Sequence, residues 1–140
     1  GQELFQYKDE SGEAVKIYSE DVNAYIRDIS GEDFTAKDFR TWNGTREALG
    51  LLAGMSVAGS MTEAKKQIVT AVKAVAGVLR NRPATCRKYY IHPAVLESYV
   101  EAGLEEWVSC VEAQPGPHGL SKEEMAVVRL VERYTAGPAV

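Results

Sequence analysis

The side chains in this 140-residue sequence that could do chemistry are arginine, lysine, tyrosine and amide groups. The sequence contains no glycine-rich phosphate loop, no HExxH motif and no cysteine or histidine spacing typical of a metal site. Arginine forms bidentate contacts with phosphate and keeps its charge. Tyrosine can act as a covalent nucleophile. These residue types favour work on phosphate groups, and we expect no metal ion and no small-molecule cofactor.

Two segments concentrate these residues. The first, 34–42, is Phe-Thr-Ala-Lys-Asp-Phe-Arg-Thr-Trp, and the second, 80–93, is Arg-Asn-Arg-Pro-Ala-Thr-Cys-Arg-Lys-Tyr-Tyr-Ile-His-Pro. Both resemble signature stretches of the small type IB DNA topoisomerases of bacteria and poxviruses. The resemblance extends upstream through 21–25 and downstream to Gly44 and Thr45. The two signatures in this order are specific to the family.

The resemblance implies roles for three residues. Tyr90 matches the tyrosine that forms a 3′-phosphotyrosyl bond with DNA. Arg40 matches the arginine that contacts the scissile phosphate. Asn81 lies where poxvirus enzymes carry a histidine and bacterial enzymes often an asparagine. The implied fold is mainly α-helical, the DNA breaking-rejoining catalytic fold shared with tyrosine recombinases. The implied function is cleavage and rejoining of one strand of double-stranded DNA, which relaxes supercoils without ATP or a metal ion.

Elementary chemistry agrees with these roles. A free tyrosine has a pKa near 10, so only about one in a thousand is ionised at pH 7, and nearby cations typically lower that pKa by about 1–3 units. Negative charge grows on the phosphoryl oxygens in the transition state, where a fixed arginine stabilises it. The amide of Asn81 can donate a hydrogen bond to such an oxygen. Asparagine also caps helix ends, which is the alternative interpretation of Asn81.

The other two assignments have alternatives as well. Tyr90 could be a packed tyrosine whose hydroxyl is merely satisfied, or the adjacent Tyr89 could be the nucleophile. The Tyr-Ile-His-Pro run that begins at Tyr90 favours Tyr90. Arg40 could form a surface salt bridge with Asp38 or Glu47.

The net charge of −4 is unevenly distributed along the chain. Residues 36–95 hold ten bases and three acids, a net charge of +7, whereas 1–35 carry −6 and 96–140 carry −5. A basic centre between acidic ends can form a phosphate-binding face. We expect its contacts with the DNA backbone to come from Lys37, Arg82, Arg87 and Lys88.

Hydrophobic periodicity predicts mostly helices, after a short hairpin or extended arm within 4–18. The stretch 54–60 is rich in glycine and serine, which predicts a loop. Helix starts are expected at Ser19, Thr35 with Asp38, Ser60 with Glu63, Pro93, and Ser121 with Glu124. Helix ends are expected at Gly31, Pro83 and Gly103, with a further short helix over 104–111.

Composition and length fit one soluble domain: 45% of residues are hydrophobic, 26% are charged, and no apolar run is long enough to span a bilayer. We expect Cys86 and Cys110 to be reduced thiols of a cytoplasmic, nucleoid-associated protein. We expect the protein to be a monomer.

The family resemblance also predicts which of the family's catalytic residues this sequence contains. The family uses a second arginine and a lysine that acts as general acid, and both lie upstream, the lysine in a β-hairpin. Residues 1–7 resemble the segment just after that hairpin. We therefore expect 1–140 to be the C-terminal part of the catalytic domain and to cleave DNA very poorly alone. The alternatives are a tyrosine recombinase, although its His-x-x-Arg motif does not occur here, and a noncatalytic DNA-binding helical module.

Overall fold

The computed structural model describes residues 5–101, 109, 111, 112, 114 and 116–137. The chain is mainly helical, with a short two-stranded sheet near its N-terminus, which confirms the expected fold class. It divides into two compact units, Gly1–Phe39 and Arg40–Val140. The candidate catalytic residues all lie in the second unit.

The N-terminal unit begins with the expected hairpin. Strand β1 (Gln6–Lys8) pairs antiparallel with β2 (Ala14–Lys16). The carboxylate of Asp9 accepts hydrogen bonds from the backbone N–H groups of Ser11 and Glu13 and so closes the turn. These bonds hold the pKa of Asp9 below its usual value, with the Ser11 hydroxyl as the largest cause.

Helix α1 (Ser19–Ser30) has a cap one residue earlier than expected. Tyr18 is the N-cap, and its N–H donates to the Asp21 carboxylate over 2.8 Å, so the prediction that Ser19 caps the helix was wrong. The reason is that an acid in the third helical position can bond the N-cap backbone whatever the cap's side chain is. Gly31 ends the helix as predicted, with a left-handed φ of 70°.

Helix α2 (Ala36–Ala53) starts just after Thr35, as the sequence predicted. The Asp38 carboxylate accepts from both the N–H and the hydroxyl of Thr35, each over 2.8 Å. The helix continues through Gly44 and Gly50, and the chain then forms the expected loop before Ser60.

Helix α3 (Met61–Leu79) buries an apolar face that includes Ile68, Val72 and Val75. The Ser60 side chain accepts from Glu63 N–H, as predicted, while the Glu63 carboxylate accepts from Gly59 N–H over 2.8 Å. The helix does not run on to Pro83, so that prediction was wrong. Arg80 adopts a left-handed conformation (φ 52°) that turns the chain away, and the N–H of Asn81 bonds back to Ala76 O over 2.9 Å.

Pro83 instead opens the next helix, α4 (Pro83–Tyr89), at its first position. Helix α5 (Pro93–Glu101) follows, again with proline first as predicted. The Nδ1 atom of His92 accepts from Ala94 N–H over 3.2 Å, so the histidine side chain caps the start of this helix.

A 3-10 turn (Pro117–Gly119) precedes the last helix, α6 (Lys122–Ala136). The predicted capping box between Ser121 and Glu124 is present. The predictions for Gly103 and for most of the helix over 104–111 lie outside the described residues. Helix α6 packs on α5, and the core they share with α2, α3 and α4 includes Leu49, Leu52, Ile68, Val72, Val75, Cys86, Ile91, Val95, Val127 and Leu130.

In the described part of the chain, no helix is both long and apolar enough to cross a membrane. Among those same residues, no cluster of three or more histidine, cysteine or acidic side chains forms a metal-binding group. Cys86 is a buried free thiol, as expected, and Cys110 lies outside the described residues.

Candidate active site

Tyr90 ends helix α4 at the junction with α5. Its φ and ψ of −126° and −1° break the helix, and its N–H still bonds to Cys86 O over 2.9 Å. Tyr90 is half-buried, and the next residue, Ile91, is buried in the core. The backbone that carries the predicted nucleophile is therefore anchored on both sides, by a helix before it and by the core after it.

Arg40 lies directly over Tyr90. Its guanidinium carbon is 4.9 Å from the centre of the Tyr90 ring, and its Nη2 atom donates to the carbonyl oxygen of Leu79 over 2.8 Å. The carboxylates considered as alternative partners bond elsewhere: Asp38 to Thr35, and Glu47 to Arg46 at 3.5 Å. The structure thus brings together the two residues that the sequence named as arginine and nucleophile.

Asn81 joins the same group of side chains. It is partly buried, and its Nδ2 atom donates to Leu79 O over 3.3 Å, the oxygen that Arg40 also uses. This bond satisfies a carbonyl at the end of α3, which is the helix-capping role considered as the alternative. Its contact with phosphate stays a prediction.

One face of α2 holds the main chain around Tyr90, through contacts that the signature residues alone did not predict. The Thr41 hydroxyl donates to Tyr89 O over 3.2 Å, and Gly44 is buried against the Tyr90 carbonyl. The Thr45 hydroxyl donates to Thr41 O over 2.6 Å and accepts from His92 N–H over 2.9 Å.

The signal for this face was present in the sequence. Residues 40, 41, 44 and 45 share one side of a helix, because positions four apart lie one turn above each other. Glycine inside a helix is normally unfavourable, so Gly44 points to a special environment. Its actual environment shows a close approach between two stretches of backbone.

The predicted DNA-contacting residues lie around this site or before it in the chain. Arg82 is the N-cap of α4, and Arg87 and Lys88 lie in its last turn, all three exposed. The Lys88 Nζ atom is 5.0 Å from the centre of the Tyr89 ring. Lys37 is exposed in the first turn of α2, in the N-terminal unit.

The site is electrically positive. From residue 64 to residue 96 the sequence has seven bases and no acid. Burial raises the pKa of the Cys86 thiol, one turn before Tyr90, and the nearby charge of Arg40 opposes that rise. A neutral thiol and an exposed fixed cation therefore lie near the phenol, and the cation can bind a phosphodiester.

Comparison with known proteins identifies the family of the chain. Residues 1–107 match the family model described as "Eukaryotic DNA topoisomerase I, catalytic core". The chain is 32% identical over 106 residues to the DNA topoisomerase 1B of Acanthamoeba polyphaga mimivirus, a match that covers 71% of this chain and 32% of the relative. The chain thus spans about a third of that relative's length. With the matched region containing Arg40, Asn81 and Tyr90, the chain belongs to the DNA topoisomerase I catalytic-core family.

Proposed function

We propose that this chain carries the nucleophile of a type IB DNA topoisomerase, similar to the small bacterial and poxvirus enzymes. Its substrate is double-stranded DNA, and its reaction is transesterification at one strand. The observation that carries the proposal is the placement of the Arg40 guanidinium 4.9 Å above the Tyr90 ring, beside Asn81. The viral relative named DNA topoisomerase 1B supports the assignment to type IB.

The proposed reaction exchanges one ester for another. The Tyr90 hydroxyl oxygen attacks the scissile phosphorus and loses its proton, the bond from phosphorus to the 5′ oxygen breaks, and that oxygen takes up a proton. The strand is then held as a 3′-phosphotyrosyl ester. Because the ester keeps the energy of the broken linkage, the 5′ hydroxyl can attack it in reverse and reseal the strand without ATP. Rotation of the DNA between the two steps relaxes supercoils.

The hydrogen-bond donors and positive charges of the chain would each contact a different part of the DNA backbone. Arg40 and Asn81 would donate to the nonbridging phosphoryl oxygens, where negative charge increases in the transition state. The same guanidinium lies over the phenol ring of the proposed nucleophile. Arg82, Arg87 and Lys88 would contact neighbouring phosphates and set the register of the duplex.

The proton for the departing 5′ oxygen needs a separate donor. The family resemblance gives this role to a lysine, and neither signature segment of this chain contains its counterpart. Loss of a positioned general acid typically lowers the rate about 10²–10⁴-fold. We therefore expect the 140-residue chain by itself to cleave DNA slowly, and we expect supercoil relaxation from the full-length protein.

The test uses the full-length protein with Tyr90→Phe, and Tyr89→Phe as its matched control. Relaxation of a supercoiled plasmid should disappear in Tyr90→Phe while DNA binding persists, and Tyr89→Phe should retain relaxation. Trapped covalent adducts, digested and sequenced, should carry the nucleotide on Tyr90. Relaxation by Tyr90→Phe, or an adduct on any other residue, would refute the proposal; no relaxation by the unmodified protein would favour a noncatalytic DNA-binding module.

A further inference from the structure

We infer that Gly44 and Thr45 are positioning residues, which set the place of the Tyr90 nucleophile by holding the main chain on either side of it. The inference rests on the proposed function of Tyr90 and extends it to two buried residues, which act on the main chain rather than on the substrate. Its basis is a set of contacts between one face of α2 and the turn from Tyr89 to His92.

Thr45 fixes the chain just after Tyr90. Its side chain is almost completely buried, at 2% exposure. A hydroxyl has one proton to donate, and that proton goes to Thr41 O over 2.6 Å. A lone pair therefore faces the N–H of His92, which donates to it over 2.9 Å. Because a buried N–H without an acceptor is strongly unfavourable, the turn after Tyr90 stays where the Thr45 oxygen is.

Gly44 fixes the carbonyl of Tyr90 itself. A Cβ atom added to Gly44 would collide with that carbonyl oxygen, at a separation that real Cβ atoms essentially never show, and would stand 3.2 Å from Cδ1 of Leu79. Glycine inside a helix is less favourable than alanine by about 1 kcal/mol, so its presence here calls for a packing reason. That reason is the direct approach of the α2 backbone to the backbone of the nucleophile.

The two contacts share their helix with Arg40. The Thr41 hydroxyl adds a third contact, to Tyr89 O over 3.2 Å, so α2 touches the residues before, at and after the nucleophile. The spacing between guanidinium and phenol therefore depends on one rigid helix. Misplacement of a reacting group by about 1 Å can lower a rate about 10²-fold, so a small shift of this turn should be visible in cleavage.

The first test compares Gly44→Ala with Gly50→Ala in the full-length protein. Both place alanine in α2, but a Cβ at Gly50 meets nothing within 4 Å. We expect Gly44→Ala to lower the single-turnover rate of covalent adduct formation at saturating DNA by about 10–100-fold. DNA affinity should stay unchanged, and Gly50→Ala should cleave like the unmodified protein. Cleavage by folded Gly44→Ala at the unmodified rate would overturn the inference for Gly44.

The second test keeps the inference decidable if Gly44→Ala fails to fold. Thr45→Val removes the hydroxyl and keeps the shape, whereas Thr45→Ser keeps the hydroxyl. We expect slower cleavage from Thr45→Val at saturating DNA, with recovery in Thr45→Ser. The matched control is Thr70→Val, because the Thr70 hydroxyl also bonds the carbonyl four residues earlier, Lys66 O at 3.0 Å, but lies on exposed α3 surface.

A purely structural role for Thr45 predicts a different result: Thr45→Val would melt at a lower temperature yet cleave at the unmodified rate well below that temperature. This outcome would overturn the inference for Thr45. Tyr90→Phe, measured beside these variants, separates the two proposals. Adduct formation by Tyr90→Phe contradicts the proposed function, whereas an inactive Tyr90→Phe together with fully active Gly44→Ala and Thr45→Val contradicts the positioning inference alone.

Discussion

Arg40 and Asn81 donate hydrogen bonds to the same acceptor, the main-chain carbonyl oxygen of Leu79, over 2.8 and 3.3 Å. That carbonyl is available because α3 ends at Leu79 and Arg80 turns the chain away. One backbone oxygen therefore gathers the two side chains predicted to bind phosphate. A phosphate oxygen is a stronger acceptor than an amide carbonyl, because it carries more negative charge, and can compete for the same N–H groups.

Arg40→Ala should lower the rate of adduct formation by about 10²–10³-fold at saturating DNA, because a fixed donor to the developing charge is lost. Arg40→Lys should recover only part of this rate, since an ammonium group lacks the planar fork of the guanidinium. Single-turnover cleavage of a labelled duplex measures both. Arg129→Ala, an exposed arginine of α6, serves as control. Adduct formation by Arg40→Ala at the unmodified rate would contradict a role of Arg40 in the reaction.

Asn81→Ala should slow cleavage about 10–100-fold, the effect of a lost hydrogen bond to a charged group worth about 1.5–3 kcal/mol. Asn81→His should retain much of the rate, because an imidazole N–H can donate in the same place. The alternative role predicts otherwise. If Asn81 only satisfies the end of α3, Asn81→Ala should lower the melting temperature and leave the cleavage rate unchanged, and histidine should give no specific recovery.

The double variant Arg87→Ala, Lys88→Ala should make DNA binding less sensitive to salt. Each phosphate contact contributes about 0.9 to the slope of log affinity against log salt concentration, so the slope should flatten by about 1.8 if both residues make such contacts. Affinities measured at several salt concentrations give this slope. The control is the double variant Lys122→Ala, Arg129→Ala, which removes the same amount of charge from the exposed surface of α6. Equal slopes for the first variant and the unmodified protein would exclude Arg87 and Lys88 from the interface.

Arg80→Gly should preserve or raise the free energy of unfolding, because a left-handed conformation is unfavourable by about 1–2 kcal/mol for a residue with a Cβ atom. Arg80→Val should lower it by an amount of the same order, since branching at Cβ worsens the clash. Urea denaturation measures both. Lys73→Gly, within the exposed face of α3, should lower stability by about 1 kcal/mol, the opposite sign. If Arg80→Gly lowers the free energy of unfolding as much as Lys73→Gly does, the left-handed conformation of Arg80 is not a source of strain.

Local signals in the sequence predicted most helix starts. The capping residues Ser60 and Ser121 act within three residues of their partners, so their effect does not depend on the rest of the fold. The end of α3 was harder to predict, because glycine or asparagine normally takes the left-handed position and Arg80 takes it here. Proline does stop a helix that reaches it, but α3 ends at Leu79, before Pro83, and Pro83 begins the next helix.

The candidate site was predicted through its motifs rather than through its packing. Family resemblance named Arg40, Asn81 and Tyr90, and the structure places them around one another. The contacts of Gly44 and Thr45 could not be predicted in the same way, because they join residues about 46 positions apart in sequence and depend on how two helices meet. A glycine or threonine inside a helix indicates that another part of the chain packs closely there, but it does not identify that part.

Trp42 makes movements in this region measurable by fluorescence. It follows Arg40 by two positions, is half-buried, and donates its indole N–H to the Glu124 carboxylate on α6 over 3.2 Å. Indole emission responds to solvent and to its hydrogen bond, so detachment of the last helix would change the fluorescence of a residue beside the site. With Trp107, the second tryptophan of the sequence, replaced by phenylalanine, Trp42 becomes a built-in spectroscopic probe for that movement.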